Sequence, residues 1–171
     1  MDNLILDIQF SNESTTEPVT LAEAKNWLKI DVPDDDTLLS TLITSARQDC
    51  ESYLNISLIE RTVTAYLQIG LDEIRLPYGP VKTVTNVTNF RGDRIHGYEL
   101  KYEKFKALDS CTEVTATYDA GFINGALPKH FKVAILNQIA WQYEHRGDET
   151  EQQTTLSPDT MRKLKPYRRV T

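Results

Sequence analysis

The chain has 171 residues and a mass of 19.5 kDa, and 40% of its residues are hydrophobic while 26% are charged. At about 150 residues per domain, this length predicts one ordinary domain with a buried core. The composition excludes collagen-like and low-complexity classes. Cys50 and Cys111 form no disulfide or metal framework, so we expect a reduced, cytosolic setting. The first ten residues contain no Lys or Arg, and the apolar runs are short, so we expect neither a secretion signal nor a membrane partner.

The net charge of −6 is unevenly distributed along the chain. Residues 1–60 carry twelve acidic and three basic side chains, whereas residues 161–171 carry five basic and no acidic ones. A basic tail of this kind can bind nucleic acid, or it can meet the acidic face of another subunit. It can also be a solvated terminus, and charge alone favours that simplest interpretation.

The N-terminal part of the chain predicts an arm followed by two helices. Residues 1–17 are polar and mostly aperiodic, which predicts an extended arm rather than a packed element. Thr20 and Glu23 have the spacing of a capping box, which predicts a helix near 20–30. Apolar residues at helical spacing then predict a longer helix near 35–55.

The pattern changes from helical to alternating after Arg61. Apolar and polar residues alternate in several short runs, which predicts an antiparallel β unit near 61–120. Val81, Val84 and Val87 are spaced by three among Thr residues, which predicts a bulged or broken strand.

Helical spacing returns near 128–146 and again near 157–165. We therefore expect an α+β fold, in which a helical bundle carries the β unit as an insertion. The predicted domain spans 18–165, and a basic tail follows at 166–171. The predicted core of the bundle includes Leu28, Leu42, Ile43, Ala46, Ile135 and Ile139, with the second and third helices in contact.

The chain lacks the common catalytic and nucleotide-binding motifs. His96, His130 and His145 are too dispersed for a metal site, so we expect no enzymatic activity, no metal and no cofactor. The three consecutive carboxylates at 34–36 are typical of a helix start rather than of a cation site. The Arg-Gly-Asp triplets at 91–93 and 146–148 are typical of a turn and of a helix end.

Several short blocks, taken in order, resemble the head-tail connector (head-completion adaptor) proteins of tailed bacteriophages and prophages. Each block is ordinary helix-cap or turn chemistry, but their order across about residues 18–169 makes chance a poor explanation. The blocks are Thr20–Lys25, Leu28–Asp31, Asp34–Asp36 with Leu38, Leu39, Leu42 and Ile43, Leu76-Pro77, Gly79–Val81, Tyr118–Phe122, Leu127-Pro128, Trp141–Arg146 and Leu164–Arg168. The polar linker at 149–155 and the acidic N-terminal arm depart from the family pattern.

The resemblance implies a structural protein of the virion neck that assembles in the cytoplasm of a bacterial host. Such adaptors form a ring, usually of twelve copies, between the portal and the stopper or tail-completion protein. DNA passes through the ring without sequence-specific binding.

The C-terminal tail of the family typically contacts the portal. The resemblance therefore makes Leu164, Pro166, Tyr167, Arg168 and Arg169 the candidate portal or subunit interface. The composition of the segment from Met161 onward predicts an assembly element rather than a part of the fold.

Other interpretations of the chain remain open. A nucleic-acid-binding module would use the basic tail with Tyr167 for stacking, although the sequence pI of about 5.1 leaves a small basic footprint. A small enzyme would need a convergent set of side chains, which the sequence does not display. The tail could also be a helix-ending loop that packs on its own bundle.

Overall fold

A computed structural model describes residues 3–69, 73–108, 112–123, 126–146 and 156–169. These residues form helices and antiparallel strands, so the expected α+β class is confirmed. The helices are α1 Leu21–Leu28, α2 Asp36–Leu54, α3 Lys129–Glu144 and α4 Pro158–Leu164, and a short 3-10 helix follows at Lys165–Tyr167. The strands are β1 Leu4–Ser11, β2 Arg61–Gln68, β3 Ile74–Arg75, β4 Val81–Asn89, β5 Tyr98–Lys101, β6 Lys104–Ala107 and β7 Glu113–Ala120.

The chain divides into two compact units. The first, here called the β unit, comprises Met1–Thr15, Asn55–Ile123 and Val170–Thr171. The second, here called the helical unit, comprises Thr16–Leu54 and Asn124–Arg169. Both units are therefore built from segments that are distant in the sequence.

The β unit contains two antiparallel sheets. The four-stranded sheet has the order β1-β2-β7-β4, and the three-stranded sheet has the order β3-β6-β5. Along β2 and β7 the side chains alternate between buried and half-buried, as expected for strands with one face against a core. The largest buried side chains of this core are Tyr118 and Phe105, and the Tyr118 hydroxyl donates to the carbonyl of Pro77 over 2.6 Å.

Residues 1–17 do not form only an extended arm, because they contain strand β1. This strand pairs antiparallel with β2 and packs Ile5 and Ile8 against the core of the β unit. Leu6, Ile8 and Phe10 alternate with Asp7, Gln9 and Ser11, so the segment carries a strand pattern, and the register shift between Ile5 and Asp7 allows Ile5 as well as Ile8 to face the core. The prediction of an unpacked arm is therefore wrong for this segment.

The predicted irregularity of the Val81, Val84 and Val87 segment is confirmed. β4 pairs with β7 along its length, but the register shifts after Val81 and again after Val84. Each shift adds one residue, so that a spacing of three keeps the valines on the side facing the core. The predicted turn at 91–93 also forms, and Gly92 has a φ of +86° there. The second triplet, at 146–148, lies largely outside the described residues.

The helical unit is organised around the antiparallel pair α2 and α3. The amide of Gln142 donates to Asp49 over 2.8 Å and the hydroxyl of Tyr143 donates to Asp35, so the predicted contact between these helices is confirmed. Thr20 and Glu23 form the predicted capping box at the start of α1. The predicted core residues Ile43, Ala46, Ile135 and Ile139 are buried, whereas Leu28 and Leu42 are only half-buried.

A buried ion pair lies within the same unit. The guanidinium of Arg47 donates to Glu51 over 2.7 Å and to Glu17 over 2.8 Å, and both Arg47 and Glu51 are almost fully buried. Loss of one partner would leave an uncompensated buried charge, so this pair fixes residues near the start of the unit against α2. None of the described helices is long and apolar enough to cross a membrane.

We expect Gly121→Ala to destabilise the β unit strongly, by about 3 kcal/mol or more. Gly121 has a φ of +99°, and an added Cβ would lie 1.8 Å from the carbonyl oxygen of Ile59. The matched control is Gly92→Ala, since Gly92 has a φ of +86° but no atom lies within 4 Å of the place that a Cβ would take. The control should cost about 1 kcal/mol. Urea unfolding followed by circular dichroism measures both, and equal losses would contradict the close approach at Gly121.

Candidate interaction surface

The structure places the five predicted interface residues at one end of the helical unit. Leu164 ends α4 and is only 1% exposed, so its side chain holds the segment in place rather than facing a partner. Pro166 and Tyr167 lie in the 3-10 helix, and Arg168 and Arg169 follow it. The prediction that the segment from Met161 onward is separate from the fold is therefore wrong.

Hydrogen bonds anchor α4 to α3. The side chain of Ser157 caps α4 by accepting from the backbone N–H of Thr160, and the Ser157 N–H donates to the amide oxygen of Gln138 over 2.9 Å. Ser157, Thr160 and Gln138 are all buried. A buried polar side chain is costly unless it is hydrogen-bonded, so this network fixes where the C-terminal segment begins.

Aromatic contacts hold Tyr167 against α3. Its ring stacks on His130, with centroids 4.3 Å apart and planes inclined by 17°, and it meets the ring of Phe131 edge-on at 5.5 Å. Tyr167 nevertheless stays 43% exposed. An aromatic side chain that is held on one face and open on the other is well suited to contact a partner without further ordering.

The two arginines that follow are positioned by the C-terminal end of α2. The guanidinium of Arg168 lies 5.2 Å from the ring centroid of Tyr53, and the backbone N–H of Arg169 donates to the carbonyl of Leu54 over 2.9 Å. This bond satisfies one of the last carbonyl groups of the helix. Positive side chains are also favourable beside the negative end of the helix dipole.

Together these residues form a surface that we call the Tyr167 surface, defined by Tyr53, His130, Lys165, Tyr167 and Arg168. It combines half-exposed aromatic rings with the exposed positive charges of Lys165 and Arg168. Arg162 and Lys163, on α4, instead form ion pairs with Asp159 at 2.6 and 2.8 Å. The sequence indicated the tail but not Tyr53 or His130, because these two side chains come from other helices.

Metal-binding side chains are dispersed over the part of the chain that the structure describes. The described residues contain no cluster of His, Cys, Asp or Glu side chains that could hold a metal ion. Asp35 and Asp36 contact Tyr143 and Lys25, so they serve the packing of the helical unit. Burial raises the pKa of the Cys50 thiol to about 12, which leaves it protonated and poorly nucleophilic at neutral pH.

Comparison with known proteins bears first on the N-terminal part of the chain. Residues 18–91 match the family model described as "Phage gp6-like head-tail connector protein". The resemblance to head-tail connector proteins is confirmed. The match covers α1, α2 and the chain through β4, while the C-terminal blocks of the resemblance lie outside it.

Solved structures share the fold of this connector-like chain over nearly its whole length. A chain from "Virion of native gene transfer agent (GTA) particle" is 22% identical, with a TM-score of 0.74 and 96% of each chain covered. A chain from "Neck of empty GTA particle computed with C6 symmetry" is 22% identical, with a TM-score of 0.72 and 97% of each chain covered. A third, from "Neck of native GTA particle computed with C12 symmetry", is 23% identical, with a TM-score of 0.68, and covers 95% of this chain and 96% of the other.

A search of curated protein sequences gives no significant match. The likeness to these solved structures is one of fold, and it includes the described C-terminal segment. At this level of identity it describes the shape of the chain.

We expect Tyr167→Ala to destabilise the helical unit by about 1 kcal/mol, because it removes the stack on His130 and the edge contact with Phe131. Tyr167→Phe keeps both rings in contact and should be close to neutral. Urea denaturation midpoints of the two variants give the comparison. If the alanine variant unfolded at the wild-type midpoint, the tail would be a solvated terminus.

Proposed function

We propose that the protein is a structural head-tail connector subunit of a tailed phage or phage-like particle. Copies form a ring, of twelve in the virion, between the portal and the stopper or tail-completion protein. The ring continues the channel through which DNA passes without sequence-specific binding. The protein performs no reaction in this role, is assembled in the bacterial host cytoplasm and resides in the virion neck.

One pairing of observations carries this proposal. The family match is to head-tail connectors, and the shared fold belongs to chains from particles whose necks are described with C12 and C6 symmetry. The family match suggests the role of a connector. The likeness of fold shows that a chain of similar fold occurs in particles with symmetric necks. Cyclic rings need two unlike surfaces on each copy, and a chain with two compact units offers such surfaces.

We further propose that the Tyr167 surface is the part of the helical unit that contacts the portal or a neighbouring subunit. Tyr167 and Arg168 of this surface supply the contact together with the adjoining Pro166 and Arg169, and the buried Leu164 anchors the segment. Exposed positive charge around one half-exposed aromatic ring suits a partner with an acidic rim and an apolar pocket.

A nucleic-acid-binding function has less support. Two of the five basic side chains in residues 161–171 are paired with Asp159, and the Arg168 guanidinium lies near the ring of Tyr53. A continuous basic footprint of the kind that binds phosphates is therefore small on this segment.

The first expected outcome concerns mass and location. The ring of this chain, assembled from the purified protein or released from particle necks, should have a native mass of twelve times 19.5 kDa. Native mass spectrometry measures the ring, and antibody labelling of particles in electron micrographs locates it. A chain that is absent from the necks of particles would overturn the proposal.

The second expected outcome concerns attachment. Arg168→Glu with Arg169→Glu should weaken co-sedimentation with portal-bearing, DNA-filled heads, and added salt should also weaken binding of the wild type, since exposed charges act through a screened field. Lys29→Glu with Lys106→Glu is the matched control, because both lysines are exposed, neither belongs to the Tyr167 surface, and their reversal changes the net charge equally.

Equal binding of the tail variant and the wild type, with the fold intact, would exclude the Tyr167 surface from attachment. A parallel assay of retention on heparin and on duplex DNA separates the alternative function. Strong salt-dependent retention of the wild type that the tail variant loses would favour nucleic-acid binding instead.

A further inference from the structure

The tip of the β5–β6 hairpin has an unusual backbone. Tyr102 and Glu103 form the turn with φ values of +51° and +64°, so two consecutive residues with side chains occupy the left-handed region. Turns of this type normally carry Asn-Gly or similar pairs, because a Cβ is strained there by about 1 kcal/mol per residue. A tyrosine at this position is poorly explained by turn formation and indicates a role for its side chain.

The tip is also rigidly held. The backbone carbonyl of Glu103 accepts the N–H of Leu76 over 3.0 Å, and its side-chain Oε1 accepts the N–H of Val81 over 3.0 Å. Tyr102 itself is 82% exposed, with the ammonium group of Lys101 5.7 Å from its ring centroid. The β unit therefore presents one aromatic ring on a fixed support, beside a positive charge.

A groove lies elsewhere on the β unit, and apolar and aromatic side chains line it together with polar ones. Its volume is about 430 Å3, and its lining includes Leu6, which is 51% exposed, Phe90, which is 68% exposed, and Tyr66. A cavity of about 150 Å3 can already hold a benzene ring, so this groove has room for a tyrosine side chain. Among the described residues that line it, Glu113 is the one that carries a charge.

The tip and the groove lie at opposite ends of the same strand. Glu103 is bonded to Val81, the first residue of β4, whereas Thr88 and Asn89 at the end of β4 line the groove. Nine residues of strand at about 3.3 Å per residue span close to 30 Å. One copy of the chain therefore cannot place its own Tyr102 in its own groove.

We propose that Tyr102 of one copy docks into the groove formed by Leu6, Tyr66 and Phe90 of a second copy, with Lys101 beside Glu113. The occupant is a second copy because the groove has room for the aromatic tip, and because Lys101 and Glu113 have opposite charges. Because the tip and the groove lie at opposite ends of the β unit, the tip of each copy would enter the groove of the next. Such a head-to-tail contact is the kind from which closed rings are built. The inference rests on the ring of the proposed function, to which it adds a specific contact between subunits.

The test uses two variants of the full chain that damage opposite sides of the contact. Tyr102→Asn removes the ring and places at the turn a residue that tolerates the left-handed region, so its urea midpoint should equal or exceed that of the wild type. Phe90→Asp places a charge in the groove at an exposed position. Sedimentation velocity over a concentration series should show at least about tenfold weaker self-association for each variant. Tyr102→Phe is the conservative control and should associate like the wild type.

Mixing the two variants gives the decisive result. The intact Tyr102 of the Phe90→Asp chain can enter the intact groove of the Tyr102→Asn chain, but neither end of that pair can extend further. The mixture should therefore form dimers where each variant alone is monomeric. A photoreactive p-benzoylphenylalanine at position 102 should form cross-links that map to peptides containing Leu6, Phe90 or Glu113 of another copy.

Several outcomes overturn this inference. They are wild-type association by Tyr102→Asn, absence of dimers in the mixture, monomeric wild type at every concentration, and cross-links from position 102 to DNA rather than to the groove. If particles assembled with Tyr102→Asn still contained the ring in their necks, the contact would be wrong and the proposed function would stand. If the wild type associated through Tyr102 but was absent from necks, the proposed function would fail and the contact would stand.

Discussion

The buried side chain of Gln138 connects three helices of the helical unit. From α3 its amide oxygen accepts the N–H of Ser157 at the start of α4, and its amide nitrogen donates to Asp49 on α2. Burial raises the pKa of the Asp49 carboxyl, and the bond from Gln138 opposes that rise. Because Gln138 and Ser157 are both buried, the bond between them is made where water cannot replace it. The path of the C-terminal segment across the unit depends on this one amide.

The position of Tyr167 follows from that constraint. Once α4 begins beside Gln138, its last residue Leu164 is buried, and the 3-10 helix that follows reaches the start of α3. Tyr167 then meets His130, and Arg168 meets Tyr53 at the end of α2. The surface that we propose for a partner is thus held in place by contacts with α2, α3 and α4. Because its side chains are already ordered, less conformational entropy would be lost when a partner binds.

In the β unit, both edge strands of the four-stranded sheet are irregular. β1 and β4 both contain register shifts, whereas the central pair β2 and β7 is regular. Bulges on edge strands hinder continuous pairing with the sheet of another copy. The contact that we propose, between the Tyr102 tip and the groove of another copy, would leave those edges unpaired and would not extend the sheet.

The sequence by itself determined the elements whose signals are local. The capping box at Thr20, the apolar stripe of α2 and the alternation along β2 each depend on neighbours a few residues away, and all three are present. The spacing of three between the valines of β4 was also enough to predict a bulged strand, because a bulge depends only on neighbouring residues. The order of short blocks along the chain was sufficient to indicate a resemblance to head-tail connector proteins, and the family model matches residues 18–91.

Only the tertiary structure shows which partners, distant in the sequence, pack against each helix and strand. β1 is held as a packed strand because β2, which lies more than fifty residues later, supplies its hydrogen-bonding partner. Leu164 became a core residue, and His130 became a neighbour of Tyr167, only when α3 and α4 packed together. Periodicity reports which face of an element is apolar, but it does not report which other element covers that face.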